Sequence, residues 1–292
     1  MSVTMRPYAG EADYAPLRRL FDAAAGASPL HYGTGGDLDW WRFAHEDPAA
    51  LRHTVLWCAA DGTVVGFAWP EKDEVVILAH PAHRDLEGVI LAWAEAQATS
   101  QLPLAAWSFD EDASRVVTLR ARGYVRTERA YRYRSRPLTG DLPERVVPPG
   151  FTVRALGGDD EVAARVAVHR AAFAPSRMTV AKHRAVRTAP GYRPDLDLVV
   201  VTPDGTFGAY CLVWFDASNR LGVFEPVGAD PAWQRRGLTH AVLIEGFYRL
   251  RALGATTAFV ASLSDSVPAN ALYEAVGFRT VGEDHRWEKA LG

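Results

Sequence analysis

A chain of 292 residues with 48% hydrophobic and 23% charged side chains is long enough for two domains of ordinary size, each with its own core. A formal net charge of -3 lacks the basic excess of a nucleic-acid binder. No apolar run reaches the roughly eighteen residues of a membrane helix, and the opening MSVTMRPYAGEADYAPL has no charged-then-apolar signal pattern, so a cytoplasmic protein without membrane partners is expected. In chain order, Met5-Arg6 opens a first strand and residues 12–25 form an amphipathic helix with Leu17, Leu20, Phe21 and Ala24 on one face. Residues 31–48, from His31 onward, are Gly-rich and aromatic, and group Trp40, Trp41 and Phe43. Strands at 54–58 and 64–69 flank Asp61-Gly62-Thr63 as a hairpin. A strand at 74–78, a loop at 80–87, a helix at 88–98, a strand at 105–109 and a helix at 113–122 follow. Gly123-Tyr124 then starts a final strand pair that reaches residue 134.

Residues 135–150 collect Pro137, Gly140, Pro143, Pro148, Pro149 and Gly150 without hydrophobic periodicity, which marks a linker. After it the order starts again: a strand at 151–154, helices at 160–173 and near 180–187, a strand at 196–201, Asp204-Gly205-Thr206, and a strand at 207–215. Arg6 answers to Arg154, Pro81 to Pro231 and Gly123 to Gly277, at an offset that drifts slowly, as duplication with small insertions gives. The division expected is 1–134, linker 135–150, and 151–292. Cys58 and Cys211 each lie in a run that reads as a buried strand, so inert thiols are expected rather than a disulfide. His80 and His83 straddle a proline with no further ligands nearby, so no metal is expected.

The stretch 221–253 is where chemistry can be read. A strand at 221–227 carries Glu225 among apolar and aromatic neighbours, where an ionised carboxylate is expensive. Pro226 removes a ladder donor, so the strand is unpaired along one side there, and Val227 and Ala229 keep amides that can pair with an extended, amide-bearing ligand. The loop Gln234-Arg235-Arg236-Gly237-Leu238-Thr239 then enters a helix with Leu238, Val242, Leu250 and Leu253 at helical spacing and Gly254 as its stop. First-turn amides lack partners inside a helix, Gly237 lets backbone approach an anion, and two arginines add charge, so the loop is either a phosphate site or a solvated basic turn.

The order strand, Glu, P-x-x-Q-R-R-G-L, helix, and then Asn270-Ala-Leu-Tyr-Glu-Ala-Val-Gly-Phe278, resembles the acetyl-coenzyme A core of the GNAT N-acetyltransferase superfamily across 151–292. The resemblance implies an α/β fold of two tandem GNAT-like domains, each a mixed, mostly antiparallel sheet flanked by helices, in the layout of tandem members such as mycothiol synthase. It implies that Gln234 to Thr239 hold the coenzyme's pyrophosphate, that Val227 and Ala229 bond the pantetheine arm, and that Tyr273 faces the departing thiolate. Thr239 departs from the family's Gly or Ala, and Ser266 stands where many members have an Asn that contacts the coenzyme, with Asn270 as the nearby substitute. In the first half, Val75 stands at the place of Glu225, Leu119 at that of Tyr273, and Arg84-Asp-Leu-Glu-Gly-Val89 at that of the phosphate loop, where Asp85 and Glu87 would repel a pyrophosphate. That half resembles a degenerate GNAT domain which buttresses the site and helps shape the acceptor pocket.

The implied reaction is acetyl transfer from acetyl-coenzyme A to a primary amine of a small molecule, by direct attack. Glu225 is the expected general base, with the alternative that it pairs with an arginine. Tyr273 is the expected general acid, with the alternative of a packed core tyrosine, and the Val227 amide is the expected oxyanion donor. His169, His183, His240 and His285 read as surface or satisfied core residues, with His240 the first to test. The group Trp40, Trp41 and Phe43 reads as packing, or as an acceptor-pocket wall. Two competing functions remain: a non-catalytic acyl-coenzyme A sensor or scaffold, and a protein or peptide N-acetyltransferase. Either a monomer or a homodimer is compatible with the sequence.

Overall fold

The computed structural model describes residues 3–28, 30, 32–98 and 102–291; His31, at the head of the aromatic segment, lies outside them. The first half runs β1 (Val3–Pro7), α1 (Glu11–Ala27), α2 (Gly35–Phe43), β2 (Val55–Ala59), β3 (Val64–Pro70), β4 (Val75–Ala79), α3 (Leu86–Gln97), β5 (Leu104–Phe109), α4 (Ala113–Ala121) and β6 (Val125–Pro137). The second runs β7 (Thr152–Ala155), α5 (Val162–Ala172), α6 (Val180–Val186), β8 (Asp197–Val201), β9 (Phe207–Asp216), β10 (Leu221–Ala229), α7 (Leu238–Ala252), β11 (Thr257–Leu263), α8 (Val267–Ala275) and β12 (Arg279–Lys289). The internal repeat extends to side chains. Arg6 pairs with Asp13 at 2.6 Å and Arg154 with Glu161 at 2.6 Å. Each acid also accepts an amide four residues upstream, from Ala9 and from Gly157, at 2.7 Å.

The strands make a 4-stranded sheet, β1-β2-β3-β4, and an 8-stranded sheet, β5-β12-β6-β11-β10-β9-β8-β7. An isolated parallel bridge between Glu74 and Ala105 links them. The halves exchange their last strands. β12 pairs with β5 of the first half, and the second part of β6, Tyr131 to Pro137, pairs with β11 of the second. The expected strand pair ending at 134 is one strand, β6, that runs on to Pro137. Its Tyr-Arg alternation continues through Arg136, which keeps the period of two that a strand needs. Tyr131 and Tyr133 therefore share one face, and Arg132, Arg134 and Arg136 the other.

One further difference matters for the site. The segment 31–48 holds a helix, α2, whose N-terminus is closed by a capping box between Thr34 and Asp37. The T-x-x-D spacing was the readable signal for it. α2 lies between the halves: Trp41 packs into the first-half core, and Trp40 and Phe43 pack against Trp214, Val223 and Phe259 of the second. Packing is thus the role the structure gives Trp40 and Phe43. Cys58 and Cys211 are free and buried. No helix among the described residues is long and apolar enough to cross a membrane.

Candidate active site

Parallel pairing of β10 with β11 covers only Leu221, Val223 and the residue between them, opposite Thr257 to Phe259. Beyond it the strands part, and the β10–β9 register slips between Phe224 and Val227. The Glu225–Pro226 peptide in that slip is cis, and Pro226 has no N–H to give. The direction of the next amides follows from the ladder. Asp230 N–H donates to the Gly208 carbonyl at 3.0 Å, so the pair two residues back, Gly228 with Tyr210, has the same bonded geometry. Val227 and Ala229, opposite Cys211 and Ala209, alternate with it and turn their amides away from β9, into the opening.

At the mouth of this opening stands the N-terminus of α7. Gly237 is its cap residue, at φ 79, with no side chain capping it. That left-handed conformation suits glycine, and a Cβ there would meet only Pro148 Cγ at 3.8 Å, so the space above the backbone is open. Arg235 also adopts positive φ, at 59. Gln234, Arg235, Arg236 and Gly237 are exposed, Thr239 is half-buried and Leu238 is buried beneath them. The Arg236 guanidinium lies over the Trp233 ring at 5.0 Å. The first-turn amides, the dipole and two arginines thus face solvent together.

Glu225 sits at the inner end of the opening. Its residue is half-buried while its carboxyl is closely surrounded. Burial, then the charge of Asp37 and a hydrogen bond with the Asp37 carboxyl, push its proton affinity well above the usual carboxylate range; a hydrogen bond from Trp41 acts the other way. Among the described residues no arginine forms an ion pair with it, and its backbone carbonyl accepts from Trp214 Nε1 at 2.8 Å. Registers across β10, β11 and β6 place Tyr133 on the same face. Burial and then the charges of Asp284, Asp37 and Glu225 push the Tyr133 phenol far above its ordinary value. Asp37 and Tyr133 were not foreseen as site residues, and Trp41 was read as packing or an acceptor-pocket wall; each comes from the first half of the chain.

Tyr273 is buried on α8, edge-on to Phe278 at 5.9 Å, with the Arg134 guanidinium 5.8 Å from its ring centre. Burial raises its phenol above the ordinary value; Arg134 opposes this and the charges of Cys211 and Glu225 add to it. Glu225 and Tyr273 are thus near enough to sense one another across the opening. Asn270 is half-buried and engaged within the protein: its Oδ1 accepts from Arg134 and from Ser262 Oγ, and its Nδ2 donates to the Ser264 carbonyl at 2.9 Å. That network ties α8 to β11 and β6. His240 is half-buried in the first turn of α7. His169 accepts or donates at Tyr210 Oη, 2.8 Å away, and burial lowers its pKa to about 4. No group of three or more His, Cys, Asp or Glu among the described residues is disposed to hold a metal ion.

The first half holds the same elements with a different filling. At the start of α3, Glu87 points inward and is fully buried. Its Oε1 accepts from Arg115 at 2.7 and 3.1 Å, and its Oε2 from Arg84 at 3.2 Å. The expectation of acids repelling a pyrophosphate from solvent is thereby refined: Glu87 itself occupies the inner side of that helix start, neutralised by arginines.

No protein-family model matches the chain. Over 291 aligned residues it is 30% identical to a mycothiol acetyltransferase of Nocardioides sp., covering 92% of this chain and 94% of that protein. It is 31% identical to a mycothiol acetyltransferase of Salinispora arenicola, covering 91% and 89%. Among solved structures, a tandem GNAT protein from the clavulanic acid biosynthesis pathway superposes with a TM-score of 0.71 at 18% identity, covering 100% and 99% of the two chains. A GCN5-related N-acetyltransferase from Sphaerobacter thermophilus superposes with a TM-score of 0.66 at 20% identity, covering 99% and 96%. GNAT acetyltransferases in general draw the acetyl group from acetyl-coenzyme A. With a doubled sheet-and-helix order and relatives matched over nine-tenths of its length, the chain belongs to the tandem GNAT acetyltransferases, the family that includes the mycothiol acetyltransferases.

Proposed function

We propose that residues 151–292 bind acetyl-coenzyme A and transfer its acetyl group to a primary amine of a small molecule, with residues 1–134 as a degenerate partner that covers the acceptor side. The observation that carries this reading is the continuity of one track: the exposed helix start at Gly237, the outward amides of Ala229 and Val227, and the enclosed Glu225 carboxyl. Pyrophosphate suits the first turn of α7 beside Arg235 and Arg236, and the pantetheine amides suit the free edge of β10. Asn270 serves this track by holding Arg134 and α8 in place.

In the chemical step the Glu225 carboxylate takes a proton from the acceptor ammonium, and the neutral amine attacks the thioester carbonyl. The carbonyl oxygen becomes an oxyanion facing the Val227 amide. As the new C–N bond is completed the C–S bond breaks, the thiolate takes the Tyr273 proton, and the second proton of the attacking nitrogen restores the phenol. The products are the amide and the free thiol. A raised proton affinity at Glu225 suits a base that must deprotonate an ammonium near neutral pH. The similarity to mycothiol acetyltransferases favours an acceptor related to mycothiol within the same class.

Titration calorimetry with acetyl-coenzyme A and a thiol-release assay against a panel of primary amines test the proposal together. Binding followed by amine-dependent thiol release is expected. Binding with no release for any amine, including peptide N-termini, favours the sensor reading, and absence of binding overturns both.

A further inference from the structure

We propose that Arg134, supplied by β6 of the first half, is a positioning residue for Tyr273: its buried guanidinium, balanced by no acid, lies over the phenol ring and offsets the negative charge that appears there as the thiolate leaves. This rests on the reading of Tyr273 as the acid and names how the other half serves the leaving step. Among the described residues Arg115, Arg134 and Arg165 are all but fully buried. Arg115 meets Glu87 at 2.7 Å and Arg165 meets Asp197 at 2.9 Å. Arg134, at 0% exposure, forms no ion pair among the described residues. Its donors go to neutral acceptors: Nη1 to Ser262 Oγ at 3.0 Å and to the Arg132 carbonyl at 3.3 Å, and Nη2 to Asn270 Oδ1. Its Nε is buried without a hydrogen-bond partner. An arginine keeps its proton even when buried, and a buried charge that no acid balances is unfavourable unless an anion comes to it.

Tyr273 is where that anion forms. The guanidinium carbon lies 5.8 Å from the ring centre. Asn270, one helical turn before Tyr273 on α8, fixes the two together: it accepts from Arg134 and donates to the Ser264 carbonyl, just past β11, at 2.9 Å. Arg134 of β6, Cys211 of β9 and Glu225 of β10 act on the phenol, and Tyr210 of β9 senses it. Of these only Arg134 is a cation. Glu274 and Glu283 sense the Arg134 charge without an ion pair to it. The repeat supplies an internal control. Arg134 stands opposite Val260 of β11. At the offset that relates Leu119 to Tyr273, the first half has Ala106 on β5 with Trp287 opposite it, and Trp287 packs with Leu119 in one apolar cluster. The half without the phenol is also without the cation. In the step itself sulfur keeps the C–S electron pair and takes the Tyr273 proton, and the phenolate lies beside Arg134 until the attacking nitrogen returns a proton. A cation fixed there in advance favours that anion without having to move.

The test uses the full chain with a ring-fluorinated, more acidic tyrosine at position 273 and follows its resonance with pH by fluorine-19 NMR, without coenzyme or acceptor. In Arg134→Gln, and in Arg134→Met as a second neutral variant, the resonance should titrate at least about one pH unit higher, a tenfold change in proton affinity. Arg134→Lys should restore most of the original value. Ser262→Ala, which removes a partner of Arg134 and keeps its charge, should leave the titration in place. Neutral variants that titrate where the parent does overturn the inference, as does a Ser262→Ala protein that shows the whole shift. With acetyl-coenzyme A and an acceptor amine, Arg134→Gln should lower kcat at unchanged coenzyme Kd, and an unchanged kcat also overturns it. Because the resonance is read without substrates, failure of the acetyl-transfer reading would appear separately, as absent thiol release by the parent chain.

Discussion

The starts of α3 and α7 are the same structural position used in opposite ways. In α7 the first turn is exposed, capped by Gly237, and flanked by two arginines that face outward. In α3 the matching turn folds its own acid inward, and Glu87 takes up Arg115 and Arg84 inside the protein. A helix start is an anion site by virtue of its free amides and dipole, so what decides its use is whether the chain has already placed an anion nearby. β10 and β11 pair over three residues and then split around Glu225; in the first half Glu74, just before β4, bridges to Ala105 of β5, and apolar Val75 stands where the acid would. One helix start is left exposed beside two arginines, and the matching one holds a buried Glu87–Arg115 pair. The halves still depend on one another, because β6 and β12 each complete the other's sheet.

That contrast can be broken most directly at Glu225. Glu225→Gln should lower kcat by roughly a hundredfold to ten-thousandfold while coenzyme Kd holds within experimental error; steady-state kinetics with calorimetry checks both, and an unchanged kcat removes the distinction between the halves. Next is the filled cleft. Glu87→Gln leaves Arg115 buried beside a neutral partner, so chemical denaturation should show a loss of about 3–5 kcal/mol, with coenzyme Kd unaffected.

A third test uses pH. His169 stands where the first half has the fully buried Phe21, and burial lowers its pKa from 6.5 to about 4. The unfolded chain therefore binds a proton that the folded chain refuses, so stability falls as pH drops from about 6.5 to about 4, by on the order of 3 kcal/mol. Denaturation across that range should show the slope, and His169→Phe should flatten it. Smallest is the charge of the open loop. Replacing both Arg235 and Arg236 by Ala should weaken acetyl-coenzyme A roughly tenfold and reduce the salt dependence of binding; Arg84→Ala, whose side chain serves Glu87, should leave affinity as it was.

The elements that were legible from the sequence are those with strong local causes. Gly237 at a positive φ, the turn before α7, the interruption at Pro226 and the matched arginines Arg6 and Arg154 of the repeat all follow from residue chemistry within a few positions of one another. α2 was hidden because its glycines and aromatic residues mask helical periodicity, although Thr34 and Asp37 carry a cap spacing. Asn270 was read toward a ligand from its place near Tyr273, and its side chain also meets Arg134 on β6, far away in sequence, and Ser262 on the neighbouring β11.

By itself the sequence determined a doubled α/β chain with one glycine-capped helix start flanked by two arginines and one acid set in a proline-interrupted strand, since backbone conformation, free amides and hydrophobic alternation are local properties. Only the tertiary structure decided that the halves trade their closing strands, that Glu87 is turned inward, and that Asp37 of one half meets Glu225 of the other. Strand order and the encounter of two buried carboxyls depend on which distant surfaces exclude water together, and no spacing along a single chain encodes that.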